Sequence, residues 1–250
     1  MIATKISIRQ NLELGMAWLW IKSSFATFRE KPINFLFFGL SYVLFAFIPI
    51  IGIMLTVLVS MRIYFNSSLI QQQQNIGLEL NLVSLLRQRN IFSYLLFYMG
   101  IYFIILSSFS QLVNSYYGIS EITPEILVAN PQLLFILFSL SVAQAIFLGV
   151  TPLIICFNPQ IRLWSALKIN WCLLWQNLAV LILALFLLFA IILIPLYLVL
   201  NLLLLVNNGV LLGFGLMVLI ILLLVSLVIT NIFTYQVYQS GLHFSSWQTK

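Results

Sequence analysis

The sequence predicts an all-α polytopic membrane helix bundle. It has about six transmembrane helices, two cytoplasmic interfacial amphipathic helices and both termini in the cytoplasm. Three observations predict this. Only 11 Lys or Arg and 5 Glu occur in 250 residues, with no Asp, while 63% of the residues are hydrophobic. Apolar stretches of helical length recur six times. The basic residues fall only on alternate connections between those stretches.

A soluble domain carries roughly 25% charged residues, and this chain carries 6% at a mean hydropathy of +1.13. A water-soluble globule of this size lacks the polar cover to hide so much apolar surface. Soluble, disordered and disulfide-stapled classes are excluded, and residues 1–250 form a single membrane domain. The first 30 residues hold Lys5, Arg9, Glu13, Lys22, Arg29 and Glu30 without an apolar core, which is not the pattern of a cleaved signal peptide.

The elements follow in order. Residues 10–31 carry Leu14, Trp18, Ile21, Phe25 and Phe28 at helical spacing, an interfacial helix that ends near Pro32. Spans follow at about 33–48 and 50–70, with Pro49 and Gly52 marking the turn. A polar run at 71–75 precedes the third span, about 91–113. The loop at 117–131 leads into the fourth, about 133–156. A second interfacial helix, 160–177, sets Trp164, Leu167, Trp171, Leu174 and Trp175 against Arg162, Ser165, Lys168 and Gln176. The last spans are about 178–206, with Pro195 inside, and 210–233. Each has most of the roughly 20 apolar residues that a bilayer crossing needs. The first is short, so a re-entrant hairpin of spans one and two has the same charge parity as two crossings. Two crossings are expected, because irregular backbone exposed to lipid at mid-depth is not tolerated.

Charge gives the orientation. Lys5, Arg9, Lys22, Arg29 and Lys31 precede span one. Arg62, Arg87 and Arg89 sit around the end of span two and the connection after it. Arg162 and Lys168 lie between spans four and five, and Lys250 follows span six. These are all the basic residues of the chain. The loop between spans three and four carries only Glu121 and Glu125. The positive-inside rule then places both termini in the cytoplasm. An internal echo accompanies this order: Trp18, Lys22 and Pro49 recur as Trp164, Lys168 and Pro195, an offset of 146 residues. Four spans lie between the copies, so a duplication would be parallel rather than inverted.

Leu14-Gly15-Met16-Ala17-Trp18-Leu19, then Phe25, Phe28-Arg29 and Pro32, then Phe47-Ile48-Pro49-Ile50-Ile51-Gly52, open the chain in a recognisable pattern. With Arg89 to Gly100 and the pair Tyr235 and Tyr238, it resembles the BPSS1780-type family of uncharacterised bacterial inner-membrane proteins. It departs from that pattern at 71–75 and at Asn231-Ile232-Phe233. The resemblance implies a bacterial inner membrane and about six helices, with no activity and no site residues to carry over.

Catalytic chemistry finds little support. There is one His, His243, and no Asp, and Glu121 with Glu125 lacks a partner set for acid–base work. Cys156 and Cys172 stand without the nearby ligands a zinc site needs. No phosphate-binding glycine loop occurs. Asn66-Ser67-Ser68 is a glycosylation sequon without meaning on the cytoplasmic side. Neither metal nor cofactor is expected, and the positive-inside pattern explains the basic balance without nucleic acid.

Intramembrane polar groups are therefore the candidate functional residues. Arg62 lies within span two, placed either to snorkel inward or to pair with a substrate. Gln144 sits in span four beside Ser141, Ala145 and Gly149, a stripe of small residues suited to helix packing. Asn201 and Asn231, with Thr151 and Thr230, are candidates for bonds across helices. Trp18, Lys22 and Arg29, and then Trp164, Lys168 and Trp171, are the expected anchors to anionic lipid headgroups. The expected role is non-enzymatic, an accessory, scaffold or assembly factor that packs against a second copy or another membrane protein. The alternative is a carrier or channel for a lipid or small amphiphile, with Arg62, Gln144, Pro49 and Pro195 along its path.

Overall fold

The computed structural model describes residues 4–48, 50–74, 80–118, 130–204 and 209–246. Pro49, Asn75, Glu121, Glu125 and Lys250 lie outside the described residues, as does most of the turn at 207–209. Ten helices run in order among them. They are α1 (Gly15–Glu30), α2 (Pro32–Ala46), α3 (Ile51–Gln71), α4 (Leu82–Leu86), α5 (Arg89–Tyr117), α6 (Pro131–Leu148), α7 (Thr151–Phe157), α8 (Leu163–Gln176), α9 (Leu178–Leu204) and α10 (Gly209–Gly241). Strands β1 (Thr4–Ile8) and β2 (Leu242–Ser246) flank them and pair antiparallel, Ser7 opposite His243.

Four helices are long and apolar enough to cross a membrane: Ile51–Gln71, Arg89–Tyr116, Leu178–Leu203 and Val210–Gly241. This is fewer than the six expected, and the two shortfalls have physical causes. Helix α2 has 15 residues, about 22 Å at 1.5 Å per residue. It reverses sharply into α3, where a Cβ on Gly52 would fall 2.1 Å from the Phe45 carbonyl oxygen. The expected fourth span is broken into α6 and α7. Gly149 takes φ +40 at the break, and Pro152 near the start of α7 brings no N–H to continue the ladder. Pro195, by contrast, does not interrupt its helix, and α9 runs through it.

The two N-flanking helices bury a face neighbouring the expected one. In α1 the buried side chains are Ala17, Trp20, Ile21, Ser24 and Thr27, whereas Trp18 is 55% exposed. Of the expected stripe only Ile21 belongs to the buried face, and Leu14, Trp18 and Phe25 point outward. In α8 the buried set is Ala166, Leu167, Asn170 and Leu173, with Trp164, Trp171 and Trp175 outside. These sets coincide at the offset of the sequence echo: Trp20 with Ala166, Ile21 with Leu167, Ser24 with Asn170, Thr27 with Leu173. The next helix starts in step too, Pro32 for α2 and Leu178 for α9.

One end of the bundle is tied by side-chain hydrogen bonds. Tyr235 Oη donates to Gln71 Oε1 (2.9 Å) and Gln71 Nε2 to Gln236 Oε1 (3.2 Å), while Gln236 Nε2 donates to Thr27 Oγ1 (3.3 Å). Trp20 Nε1 donates to Ser240 Oγ, and Asn158 Nδ2 to Tyr238 Oη (3.3 Å). Asn90 Nδ2 reaches the carbonyls of Pro159 and Ile161. The termini join the same end, since Arg9 N donates to Gly241 O at 2.9 Å. The segments gathered here carry Arg9, Lys22, Arg29, Lys31, Arg87, Arg89, Arg162 and Lys168.

Two asparagines on α8 hold the irregular backbone. Asn170 Oδ1 accepts from Val150 N (2.9 Å) and its Nδ2 donates to Phe147 O (3.0 Å), closing the α6–α7 break. Asn177, at the end of α8, accepts from Leu12 N and donates to Arg9 O, both at 3.0 Å, pinning the segment between β1 and α1. Replacing one such clamp leaves buried groups unpaired at a cost of about 1–3 kcal/mol each. Asn177→Ala is expected to release the segment without unfolding the bundle, which limited proteolysis should detect as a new cut between Arg9 and Leu12. Gly149→Ala is expected to cost more in thermal stability, because its Cβ would meet Asn170 Oδ1 at 2.2 Å on a left-handed residue.

Candidate ligand cavity

The helices enclose a cavity of about 490 Å³ inside the bundle, within the roughly 300–1,000 Å³ range of small-molecule sites. Its walls follow from helical periodicity. On α5, Tyr94, Tyr98 and Tyr102 recur every four residues and so share one face. The first two rings lie 6.2 Å apart. Ser60 and Tyr64 of α3 and Tyr42 of α2 continue this hydroxyl-bearing wall. A second, apolar wall is α9, with Leu178, Leu181, Ile182, Leu185 and Phe189 at helical spacing. Helix α6 contributes Gln144 and Ala145, and α10 contributes Thr230, Asn231 and Thr234.

Ile146 of α6 with Leu178 and Ile182 of α9 line the cavity and are exposed. The cavity is partly open rather than sealed. Among the described residues no Lys, Arg, His, Asp or Glu lines it.

Gln144 is 9% exposed, and its Nε2 is buried without a hydrogen-bond partner. The other amide on this wall is committed, since both side-chain atoms of Asn170 hold the α6–α7 break. The α10 side chains donate within their own helix: Thr230 to Ser226 O (2.8 Å), Asn231 to Leu227 O (2.9 Å), Thr234 to Thr230 O (2.9 Å). Three further side chains have buried unpartnered atoms, Asn66, Gln88 and Thr151, and none of them borders the cavity.

The expected site residues separate on this geometry. Gln144, Ala145, Gly149 and Asn231 meet at the cavity, and Arg62 does not line it. Arg62 is half-buried with its guanidinium 5.2 Å from the centre of the Phe65 ring. The small-residue stripe on span four does not act as a helix seam at its two described members. Ala145 is exposed to the cavity, and Gly149 receives the amide of Asn170; the side chain of Ser141 lies outside the described residues. Asn201 and Asn231 bond back to their own helices rather than across, Asn201 to Tyr197 O at 2.8 Å, because the carbonyl four residues earlier is the nearest acceptor. Thr230 does likewise, and Thr151 Oγ1 has no partner. The anchor residues Trp18, Lys22, Arg29, Trp164, Lys168 and Trp171 are all exposed. The Trp164 ring packs edge-on to Phe97 and that of Trp171 to Phe147.

The tyrosine face of α5 and the asparagine clamps were absent from the sequence expectations. The first was visible as the four-residue spacing of Tyr94, Tyr98 and Tyr102; the second has no sequence signal beyond two asparagines in an apolar helix. Among the described residues no three His, Cys, Asp or Glu side chains group as metal ligands. Comparison with known proteins finds no matching family model, curated protein or solved structure.

The two amides on the α6 side have opposite relations to stability. Asn170→Ala is expected to lower thermal stability, since it strands the Val150 N–H and the Phe147 carbonyl. Gln144→Leu is expected to leave it unchanged or raise it, since it removes a buried donor that has no acceptor. Melting curves of the two variants in one detergent check the sign of each.

Proposed function

We propose that this chain is a multi-pass inner-membrane protein that binds a small amphiphile or lipid in the cavity between α5, α6 and α9, and carries or shields it within the bilayer. The observation that supports this best is a partly open cavity with a hydroxyl-bearing wall, an apolar wall and exposed apolar side chains, Ile146, Leu178 and Ile182, in its lining. Such a site admits a molecule with one oily and one polar portion directly from the hydrocarbon. The reading is non-enzymatic, in keeping with the residues described above.

The proposed topology has six passes: α2, α3, α5, the broken pair α6–α7, α9 and α10. Its basic end faces the cytoplasm, as do both termini. From Gln71 to Ile51, α3 rises about 30 Å, the thickness of a hydrocarbon core, which supports a full crossing over a re-entrant hairpin. Helices α1 and α8 then lie at the cytoplasmic surface. Their outward Trp18, Trp164 and Trp171 sit at the headgroups, with Lys22, Arg29 and Lys168 beside anionic phosphates. A bacterial inner membrane fits this positive-inside pattern.

A second reading, an accessory or assembly factor, draws support from one region. Between Leu188 of α9 and Val228 of α10, none of the described residues is buried. This distal hairpin offers an all-round apolar surface to lipid, to a second copy or to another membrane protein.

Photolabelling tests the main reading. The purified protein in lipid nanodiscs, given a single-chain amphiphile with a diazirine in its tail, is expected to be labelled on cavity-facing residues of α5, α6 and α9. Ala145→Trp, which fills the cavity, is expected to abolish that labelling. Labelling confined to the outer surface, or unchanged in Ala145→Trp, would defeat the proposal. Topology is checked separately with Cys156 and Cys172 replaced. Ile51→Cys should react with an impermeant maleimide from outside intact cells, and Lys22→Cys only after permeabilisation.

A further inference from the structure

We infer that the cavity selects an amphiphile with an uncharged polar head, one bearing an alcohol, ester or ketone oxygen, and that Gln144 is the side chain that recognises it. This rests on the binding role proposed above and goes on to specify the chemistry of the ligand. Three observations lead to it.

First, no ionisable acid or base other than tyrosine lines the cavity. A phosphate or ammonium head drawn into it would lose its hydration and meet no counter-ion, which is strongly unfavourable in a low-dielectric interior. An alcohol or carbonyl head loses far less, and the hydroxyls of Tyr94, Tyr98 and Ser60 stand along the wall to replace its water.

Second, among the described side chains that line the cavity, Gln144 is the one with a buried polar atom that has no partner. Asn170 closes the helix break, and Thr230, Asn231 and Thr234 donate to carbonyls of their own helix. Gln144 keeps a buried Nε2 donor with no acceptor, and of the side chains in that state it alone borders the cavity. A neutral oxygen accepts from that N–H and removes the cost of leaving it unmade. An anionic oxygen would accept as well, but only by bringing the unpaired charge excluded above.

Third, the lining holds an apolar set on α9 beside the polar set. A head held at Gln144 leaves Leu181, Ile182 and Leu185 of α9 to receive its tail. The volume of about 490 Å³ suits one chain with a small head rather than a whole two-chain lipid.

The experiment compares two probes that share an oleoyl-type tail with a diazirine and differ only in the head: a monoacylglycerol and a lysophosphatidic acid. Each competes with its unlabelled form on the full chain in nanodiscs. The neutral probe is expected to label cavity residues with an apparent affinity at least roughly tenfold above the anionic one, about the effect of one well-placed interaction. Gln144→Leu and Gln144→Met, which keep the volume but lose the donor, are each expected to weaken the monoacylglycerol by about tenfold and to narrow the preference. Equal or tighter cavity labelling by the lysophosphatidic acid would overturn the head selectivity while leaving amphiphile binding intact. A neutral preference unchanged in both variants would overturn the role of Gln144. Cavity labelling by neither probe would instead defeat the binding role itself. The head comparison on the unaltered protein stands even if a variant does not fold.

Discussion

Backbone satisfaction is the constraint on which the rest of this structure depends. In hydrocarbon an unpaired N–H or carbonyl has no water to turn to, so a membrane-embedded chain is helical except where protein groups complete it. Here the two exceptions with the largest consequences are both served by α8. Asn170 completes the α6–α7 break, and Asn177 completes the segment that brings β1 to α1. One short helix thus secures both the terminus and the interior. Because α6 stops at Leu148 and α7 restarts at Thr151, the break lies beside the cavity, and Gly149 is small enough to receive the clamp.

The echo between α1 and α8 acquires a physical meaning from burial. Two helices that shared only scattered Trp and Lys residues bury matching positions and are followed, after one residue, by matching helix starts. Their surroundings differ: α1 lies mainly on α9 and α10, whereas α8 lies mainly against α7, with smaller contacts to α5, α6 and α9. Helix α1 thus ties the unit α1–α2–α3 to the unit α8–α9–α10, and β1 paired with β2 joins the two ends of the chain. The buried polar position of the repeat then diverges. Ser24 bonds back to Trp20 O, while Asn170, with one more donor and a longer reach, spans to another helix.

Much of the helical order was legible from hydropathy, because a span must be apolar throughout and the chain supplies few other long apolar runs. The boundaries of α2, α3 and α9 lie within two residues of expectation. What was not legible is rotation and continuity. The stripe that periodicity picks out on α1, with Trp18 and Phe25, lies on the exposed side, and the core-facing side of Trp20, Ile21 and Ser24 had no separate signal, since lipid and core demand the same side chains. Likewise, a proline does not announce whether it breaks a helix. Pro195 sits within α9, and the actual break falls at Gly149, where the Asn170 side chain, bonding groups 20 and 23 positions away, makes it tolerable. The cavity is a product of these same tertiary placements, so only its components, such as the spacing of Tyr94, Tyr98 and Tyr102, could be seen beforehand.

A buried polar group without a partner costs stability, and among the described residues Gln144, Asn66, Gln88 and Thr151 all meet that description. They differ in what can reach them. Asn66 is wholly buried on α3 and does not line this cavity, and nothing in the structure explains it. Gln144 borders the cavity. A site of this kind weakens the empty protein by an amount that occupancy restores, so the same unmade bond both destabilises the fold and contributes to affinity. The neighbouring asparagine has the opposite logic: Asn170 is equally polar and equally deep, yet its bonds are complete in the empty protein. Stability and recognition are therefore divided between two amides on adjacent helices, one saturated and one held open.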